Sequence, residues 1–240
     1  MILVYTVCSM ISRVSIHILL IIDLTMLYLL SITYILSLWM LIQTPDNTIS
    51  SKRFWIKVLT CIHPLLILLI AYLSHSIETI EISLFWALIF ALLGDLSLGL
   101  KHRFKAAMAV GIFFFSMTHM TLSVLFFEGS WFIWTLLLVL CAWFILFKLL
   151  SKHLLFGAYT KMVTFYAFVI LMMFGLASSS LILNLDLHHF ILWLGALSFL
   201  ISDTLLSQKY FSRAKAAWIN IGYLVLYHLA LSLFTLSAFI

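Results

Sequence analysis

Two carboxylates stand where a carboxylate is costly. Asp95 and Asp203 each interrupt a long apolar run, within Leu92-Leu93-Gly94-Asp95 and Leu200-Ile201-Ser202-Asp203. A charged side chain inside a bilayer span costs on the order of 2.5–3.5 kcal/mol on insertion scales, and such residues usually serve function. Two carboxylates in a poorly hydrated layer can divide acid–base work, one holding a proton while the other stays ionised. Other apolar runs carry the imidazoles His63, His119 and His228, the phenols Tyr166 and Tyr223, and the amide Asn220. Each of these also has an ordinary structural reading as an interhelical hydrogen-bond partner. Gly195, Ser198 and Ser202 form a small-residue stripe suited to close helix packing. The chain contains no Gly-rich phosphate loop, no G-x-S-x-G elbow and no H-E-x-x-H motif.

The elements that position these groups follow from composition. The hydrophobic fraction is 65% and charged residues make up 9% of the 240 residues. A soluble domain carries about 25% charge, so a water-facing surface cannot be covered. Apolar runs of roughly 20 residues, each long enough to cross a bilayer, recur along the whole chain. Eight helices are predicted, at 18–42, 56–74, 81–100, 106–127, 131–148, 160–183, 188–207 and 216–238. The fold class is all-α and polytopic, one membrane-embedded domain over 1–240 with no polar linker. Residues 1–12 read as an uncleaved extension of the first span, because Arg13 follows the apolar stretch where a signal peptide has its basic residues first. Cys8, Cys61 and Cys141 are odd in number and lack metal-like spacing, so no disulfide framework is expected.

Charge alternates from loop to loop. Lys52, Arg53 and Lys57 flank the first loop, Lys101, Arg103 and Lys105 the third, Lys148, Lys152 and Lys161 the fifth, and Lys209, Arg213 and Lys215 the seventh. Twelve of the 13 Lys and Arg therefore fall on one side, with Arg13 the exception. Glu78, Glu81, Glu128 and Asp186 mark the even loops, which have no Lys or Arg. By the positive-inside rule the odd loops face the cytoplasm and both termini face outward, in the inner membrane if the source is bacterial. The net charge of +5 is split among short loops, so an anionic lipid surface is the expected partner and nucleic acid is not. No obligatory protein partner is inferred.

The chain also repeats itself. Gly94-Asp95 with Lys101 matches Ser202-Asp203 with Lys209, and Thr118-His119 with Ser123 matches Tyr227-His228 with Ser232. An offset of 108–109 residues moves four helices at once, which implies two parallel four-helix repeats with a site at their interface. Asp95 and Asp203 lie six residues from a loop lysine, about 9 Å into the membrane. Counting from Lys57, Lys161 and Lys215 brings His63, Tyr166, Asn220 and Tyr223 near that level. His119 and His228 fall deeper, roughly 20 Å in, which sets them apart from the aspartates unless a helix bends. Asp23 lies near the outer end of the first helix and reaches the interface.

At these residues the sequence resembles the YhhN family, the lysoplasmalogenase-type membrane proteins of bacteria and animals. The resemblance is carried by Leu92-Leu93-Gly94-Asp95, by Phe115 and His119, by the run Tyr166 to Met172, by Gly195 through Asp203, and by Tyr223 in the last helix. It runs from about residue 20 to the end. His63-Pro64 stands where the family tends to have Lys-Pro, and Tyr227-His228 where it tends to have Tyr-Tyr.

The resemblance implies hydrolysis of the vinyl ether bond of a lysophospholipid, giving a fatty aldehyde and a glycerophospho head group. Vinyl ethers hydrolyse by protonation at carbon, so the reaction needs an acid, a nearby negative charge and a base for water. On this reading Asp95 and Asp203 are catalytic, their roles unassigned between them. His63, His119, Tyr166, Ser202, Asn220, Tyr223 and His228 contact substrate or water, and the odd-loop lysines hold the phosphate. No cofactor and no metal are implied. Two rivals stand beside it. A metal-dependent amidase or esterase would use Asp95, Asp203, His119 and His228 as ligands. A proton-coupled transporter would use the carboxylates as carriers.

Overall fold

A computed structural model of the chain describes residues 25–44, 51–74, 77, 81–127, 129–150, 154–212 and 216–240. Residues 1–12, Arg13, Asp23, Glu78, Glu128, Lys152, Arg213 and Lys215 lie outside the described residues. Among the described residues, eight helices are long and apolar enough to span a membrane, and there is no strand. They are α1 (Thr25–Gln43), α2 (Ser51–Leu73), α3 (Ile82–Gly99), α4 (Ala107–Leu125), α5 (Phe132–Leu150), α6 (Thr160–Asn184), α7 (Leu187–Phe211) and α8 (Ala217–Ser237).

Sequence and structure differ most where charge sits near a helix end. The charges flanking the runs predict α2 from 56 and α7 to 207; the helices instead start at Ser51 and end at Phe211. Lys and Arg are good helix formers whose apolar stems lie along the bundle, so a charge marks an interface without ending a helix.

The packing is built on two helix hairpins. α3 lies along α4 and α7 along α8, and these are the most intimate pairs in the molecule. α6 then packs on α4 and α7, and α2 on α3 and α8, while α1 and α5 bury little of themselves. The hairpins correspond under the 108-residue offset. At Gly94 a Cβ would come within 2.9 Å of the Phe115 ring; at the equivalent position, the Ser202 hydroxyl donates to the Tyr223 carbonyl at 2.8 Å. In both cases a small residue beside an aspartate lets the next helix come close, at residues 94/115 and 202/223. Phe199, fully buried, stands at the centre against Phe115, Phe234 and Tyr227.

The α6–α7 turn is tight. Leu185 takes the left-handed conformation (φ 39°) and Asp186 caps α7, accepting the His189 backbone N–H at 2.8 Å. That bond, with the contact to the His189 ring, holds the Asp186 carboxyl below its ordinary range. At the opposite end the third, fifth and seventh loops meet. Leu155 N–H donates to the Phe211 carbonyl at 2.9 Å, and Lys101 Nζ to the Tyr210 hydroxyl at 2.9 Å.

Candidate functional site

The two aspartates occupy equivalent places with different company. Asp203 on α7 is buried and accepts a hydrogen bond from the Tyr166 hydroxyl of α6 on its Oδ2. The same oxygen lies 3.1 Å from Nε2 of His119 on α4, and that nitrogen is 2.9 Å from the Tyr166 hydroxyl. The other ring nitrogen of His119, Nδ1, is 3.2 Å from the Met173 sulfur. A thioether has no proton to give, so this contact favours a protonated Nδ1. With the proton on Nδ1, the Nε2 lone pair of the neutral ring faces the Asp203 carboxyl group. Phe199 seats the imidazole edge to face, with ring centroids 4.6 Å apart.

Asp95 on α3 is caged by α2 instead. Lys57 Nζ lies 2.7 Å from Oδ1, and the Cys61 thiol donates to Oδ2 at 2.9 Å. Lys57 and Cys61 are four residues apart, hence on one helix face. The Tyr227 hydroxyl of α8 approaches Asp95 without reaching good hydrogen-bond geometry, and it also lies within electrostatic range of Asp203. The Tyr227 ring packs edge to face on Phe115 and Phe199. Its neighbour His228 turns the other way: Nδ1 is 3.1 Å from the Tyr34 hydroxyl of α1, and Nε2 is buried with no hydrogen-bond partner among the described residues.

Space separates the centres further. Asp203, Tyr166, Val163 and Ser207 line two adjoining cavities, of about 90 Å³ and about 50 Å³. The first is also lined by Ile170 and Leu200 and by Trp143, Leu146 and Phe147 of α5, of which Leu146 is 40% exposed. The second runs past Phe115 and Leu98 to Met108 and Tyr210. The crevice at Asp95, walled by Phe54, Lys57, Val58, Leu92 and Leu96, has no room for a water molecule.

Tyr166 and His119 meet Asp203, so the depth separation inferred for His119 does not keep them apart. His119 is twelve residues into α4 and Asp203 eight residues before the end of α7, about 18 Å and about 12 Å from the same end of the bundle. Side chains lean toward a helix N-terminus; α4 and α7 run in opposite senses, so the two lean toward each other and close the gap. His63 does not reach either aspartate: its Nε2 is 3.0 Å from Thr33 Oγ1, which ties α2 to α1. Ser202 is buried and spends its proton on the Tyr223 carbonyl. Tyr223 accepts Lys209 Nζ at 3.0 Å, and Asn220 is exposed, lining a bowl at the odd-loop end rather than the aspartate layer. Sequence reasoning missed Lys57, Cys61 and Tyr227 as neighbours of the aspartates. The four-residue spacing of Lys57 and Cys61 is the signal that was available for the first two.

Among the described residues no group of three or more His, Cys, Asp and Glu is placed to hold a metal. The four ligands of the metal reading are split, Asp203 with His119 and Asp95 with Lys57.

Fold and site together define an all-α polytopic membrane protein with two buried carboxylate centres at the hearts of two related helix hairpins. Residues 52–238, which are α2 through α8, match the YhhN family, and the chain belongs to it. Neither the curated proteins nor the solved structures gave a match.

Proposed function

We propose that this protein is a membrane lysoplasmalogenase that hydrolyses the vinyl ether bond at Asp203, with the odd-numbered loops in the cytoplasm. Membership of the YhhN family fits such a function. The observation that carries the reading is the position of the Asp203 carboxylate. It is held by His119 and Tyr166 and also lines two apolar cavities, one of them walled by Trp143, Leu146 and Phe147 of α5. An amphiphile with one chain suits that shape.

The carboxyl and the imidazole hold a single proton between Oδ2 and Nε2 when the pair is neutral overall. That proton passes to the vinyl carbon remote from the ether oxygen, and the π electrons form the new C–H bond. The oxocarbenium ion left behind faces the carboxylate, which is now anionic and stabilises it. Water adds to the cationic carbon and returns its proton to Asp203 or His119. The hemiacetal then collapses to a fatty aldehyde and the free glycerol hydroxyl of the head group. Tyr166 orients the carboxylate throughout.

Asp95 supports this chemistry without touching substrate. Paired with Lys57 it carries no net charge, so its field at Asp203 is weak compared with that of a lone carboxylate. Its role is to join α2 to α3 through Lys57 and Cys61. The test is aldehyde release from an alkenyl lysophospholipid by the purified protein, with the acyl analogue as the negative control. No aldehyde from the wild-type protein overturns the assignment.

A further inference from the structure

Hydrolysis consumes a water molecule, and the two Asp203 cavities offer few polar groups to hold one. Among their described lining residues, the polar side chains common to both are Tyr166, Asp203 and Ser207. Tyr166 gives its proton to Asp203 Oδ2. In the first cavity the Trp143 N–H is spent on the Thr164 carbonyl at 3.0 Å, and the Thr204 hydroxyl on the Leu200 carbonyl at 2.8 Å. In the second, the Tyr210 hydroxyl accepts Lys101. Ser207 is half-buried and gives its proton to the Thr204 carbonyl at 2.8 Å, which leaves the lone pairs of Oγ to accept. It follows Asp203 by four residues on α7, so the two share one helix face.

The other half of the molecule lacks this arrangement. The residue four beyond Asp95 is Gly99, the counterpart of Ser207 under the 108-residue offset. It brings no hydroxyl, and a Cβ there would come within 3.0 Å of the Phe54 ring of α2. Phe54 also walls the crevice at Asp95, where no water fits. At Asp203 the cavities of about 90 Å³ and about 50 Å³ each exceed the roughly 10–15 Å³ that a water molecule requires. A held water also requires at least two polar partners. Among the described residues the hydrogen bonds to Asp203 fall on Oδ2, so Oδ1 is open to one. Side chains one helical turn apart stand about 5–6 Å from each other, a span that two hydrogen bonds of about 2.8 Å bridge through a single oxygen.

We propose that Ser207 is a positioning residue that holds the nucleophilic water against the Asp203 carboxylate. This rests on the proposed hydrolysis, and it adds the group that places the second reactant. The water donates one O–H to Ser207 Oγ and the other to Asp203. Its oxygen lone pair forms the bond to the oxocarbenium carbon, and the π electrons of the cation return to the ether oxygen. The proton on the Asp203 side passes to the carboxylate.

The experiment is turnover of an alkenyl lysophospholipid by the purified protein in deuterium oxide, stopped near half conversion, with mass spectrometry of the unreacted substrate. Capture by a held water outruns loss of a proton from the new C–H centre, so substrate recovered from the wild-type protein should carry no deuterium. Ser207→Ala should slow capture by about five- to tenfold, as loss of one hydrogen bond does. The oxocarbenium ion then has time to return to the vinyl ether, leaving deuterium on the vinyl carbon of recovered substrate. Ser207→Thr keeps a hydroxyl and should restore unlabelled substrate. Alanine is the best helix former, so its variant keeps α7. A purely structural hydroxyl would change the melting point of Ser207→Ala and leave its substrate unlabelled. Unlabelled substrate from Ser207→Ala, with or without aldehyde release, therefore overturns the water site while wild-type turnover upholds the hydrolysis. Equal label in substrate from the wild-type protein and from Ser207→Ala overturns it as well. No aldehyde from the wild-type protein overturns the hydrolysis and the water site with it.

Discussion

His119 Nε2 on α4 lies 3.1 Å from Asp203 Oδ2 on α7, joining the two hairpins of the bundle through one carboxylate oxygen. The equivalent histidine, His228, turns to Tyr34 instead, and Lys57 takes up Asp95. Two related halves thus arrive at one carboxylate facing an imidazole and open space, and another closed in an ion pair. The proposed division of roles between the two aspartates rests on that asymmetry.

Asp95 should therefore matter for stability before it matters for turnover. Asp95→Asn leaves the Lys57 ammonium, whose side chain is 17% exposed, without its counter-ion. Stranding one member of a buried pair costs about 3 kcal/mol or more, whereas replacing both members with apolar groups is often close to neutral. Thermal unfolding in detergent should show Asp95→Asn strongly destabilised and the double variant Lys57→Met/Asp95→Leu closer to wild type. At low temperature, folded Asp95→Asn should retain turnover that an Asp203 variant lacks. An unchanged melting point for Asp95→Asn would contradict the ion pair.

Ser202 should prove structural. Its hydroxyl binds the Tyr223 carbonyl, so Ser202→Ala should lose about 1 kcal/mol, the net worth of an ordinary hydrogen bond. KM should stay at the wild-type value. A raised KM with an unaltered melting point would place the hydroxyl on substrate instead.

Packing at Gly94 is tighter still. A Cβ there would sit 2.9 Å from Phe115, so a larger side chain must push α4 from α3. Gly94→Val should destabilise by about 1–3 kcal/mol, as overpacking does, and Gly94→Val/Phe115→Leu should recover part of it. Denaturation of the two variants side by side checks this.

Much of the fold was legible because a bilayer leaves few solutions. A run of some 20 apolar residues can only be a span, and all eight predicted spans have helices over their described parts. Asp95 and Asp203 were legible for the same reason, since a carboxylate in such a run is conspicuous. Lys57 was not, because a lysine beside a loop reads as a boundary marker, while its long stem lets it turn inward onto Asp95. The contact of His119 with Asp203 was hidden too. Backbone rise gives Cα depth but not side-chain lean, and here opposed lean closes a gap of about 6 Å. Nor does spacing show that Asn220 is exposed, since that depends on which face α8 presents to α7.

Protonation at carbon leaves its own signature. Reaction in deuterium oxide should place one deuterium on the carbon next to the aldehyde carbonyl, read by mass spectrometry of product trapped at once as a hydrazone. Aldehyde free of deuterium would contradict acid attack on the vinyl carbon.

The central claim is that the Asp203 carboxyl group moves the proton. Aldehyde release from an alkenyl lysophospholipid by Asp203→Asn, measured beside wild-type protein of matched folding, tests it most directly. The amide keeps the shape and loses the acidic proton, so the rate should fall by at least about 100-fold, the lower range for removal of a general acid. Wild-type turnover in that variant would contradict the account.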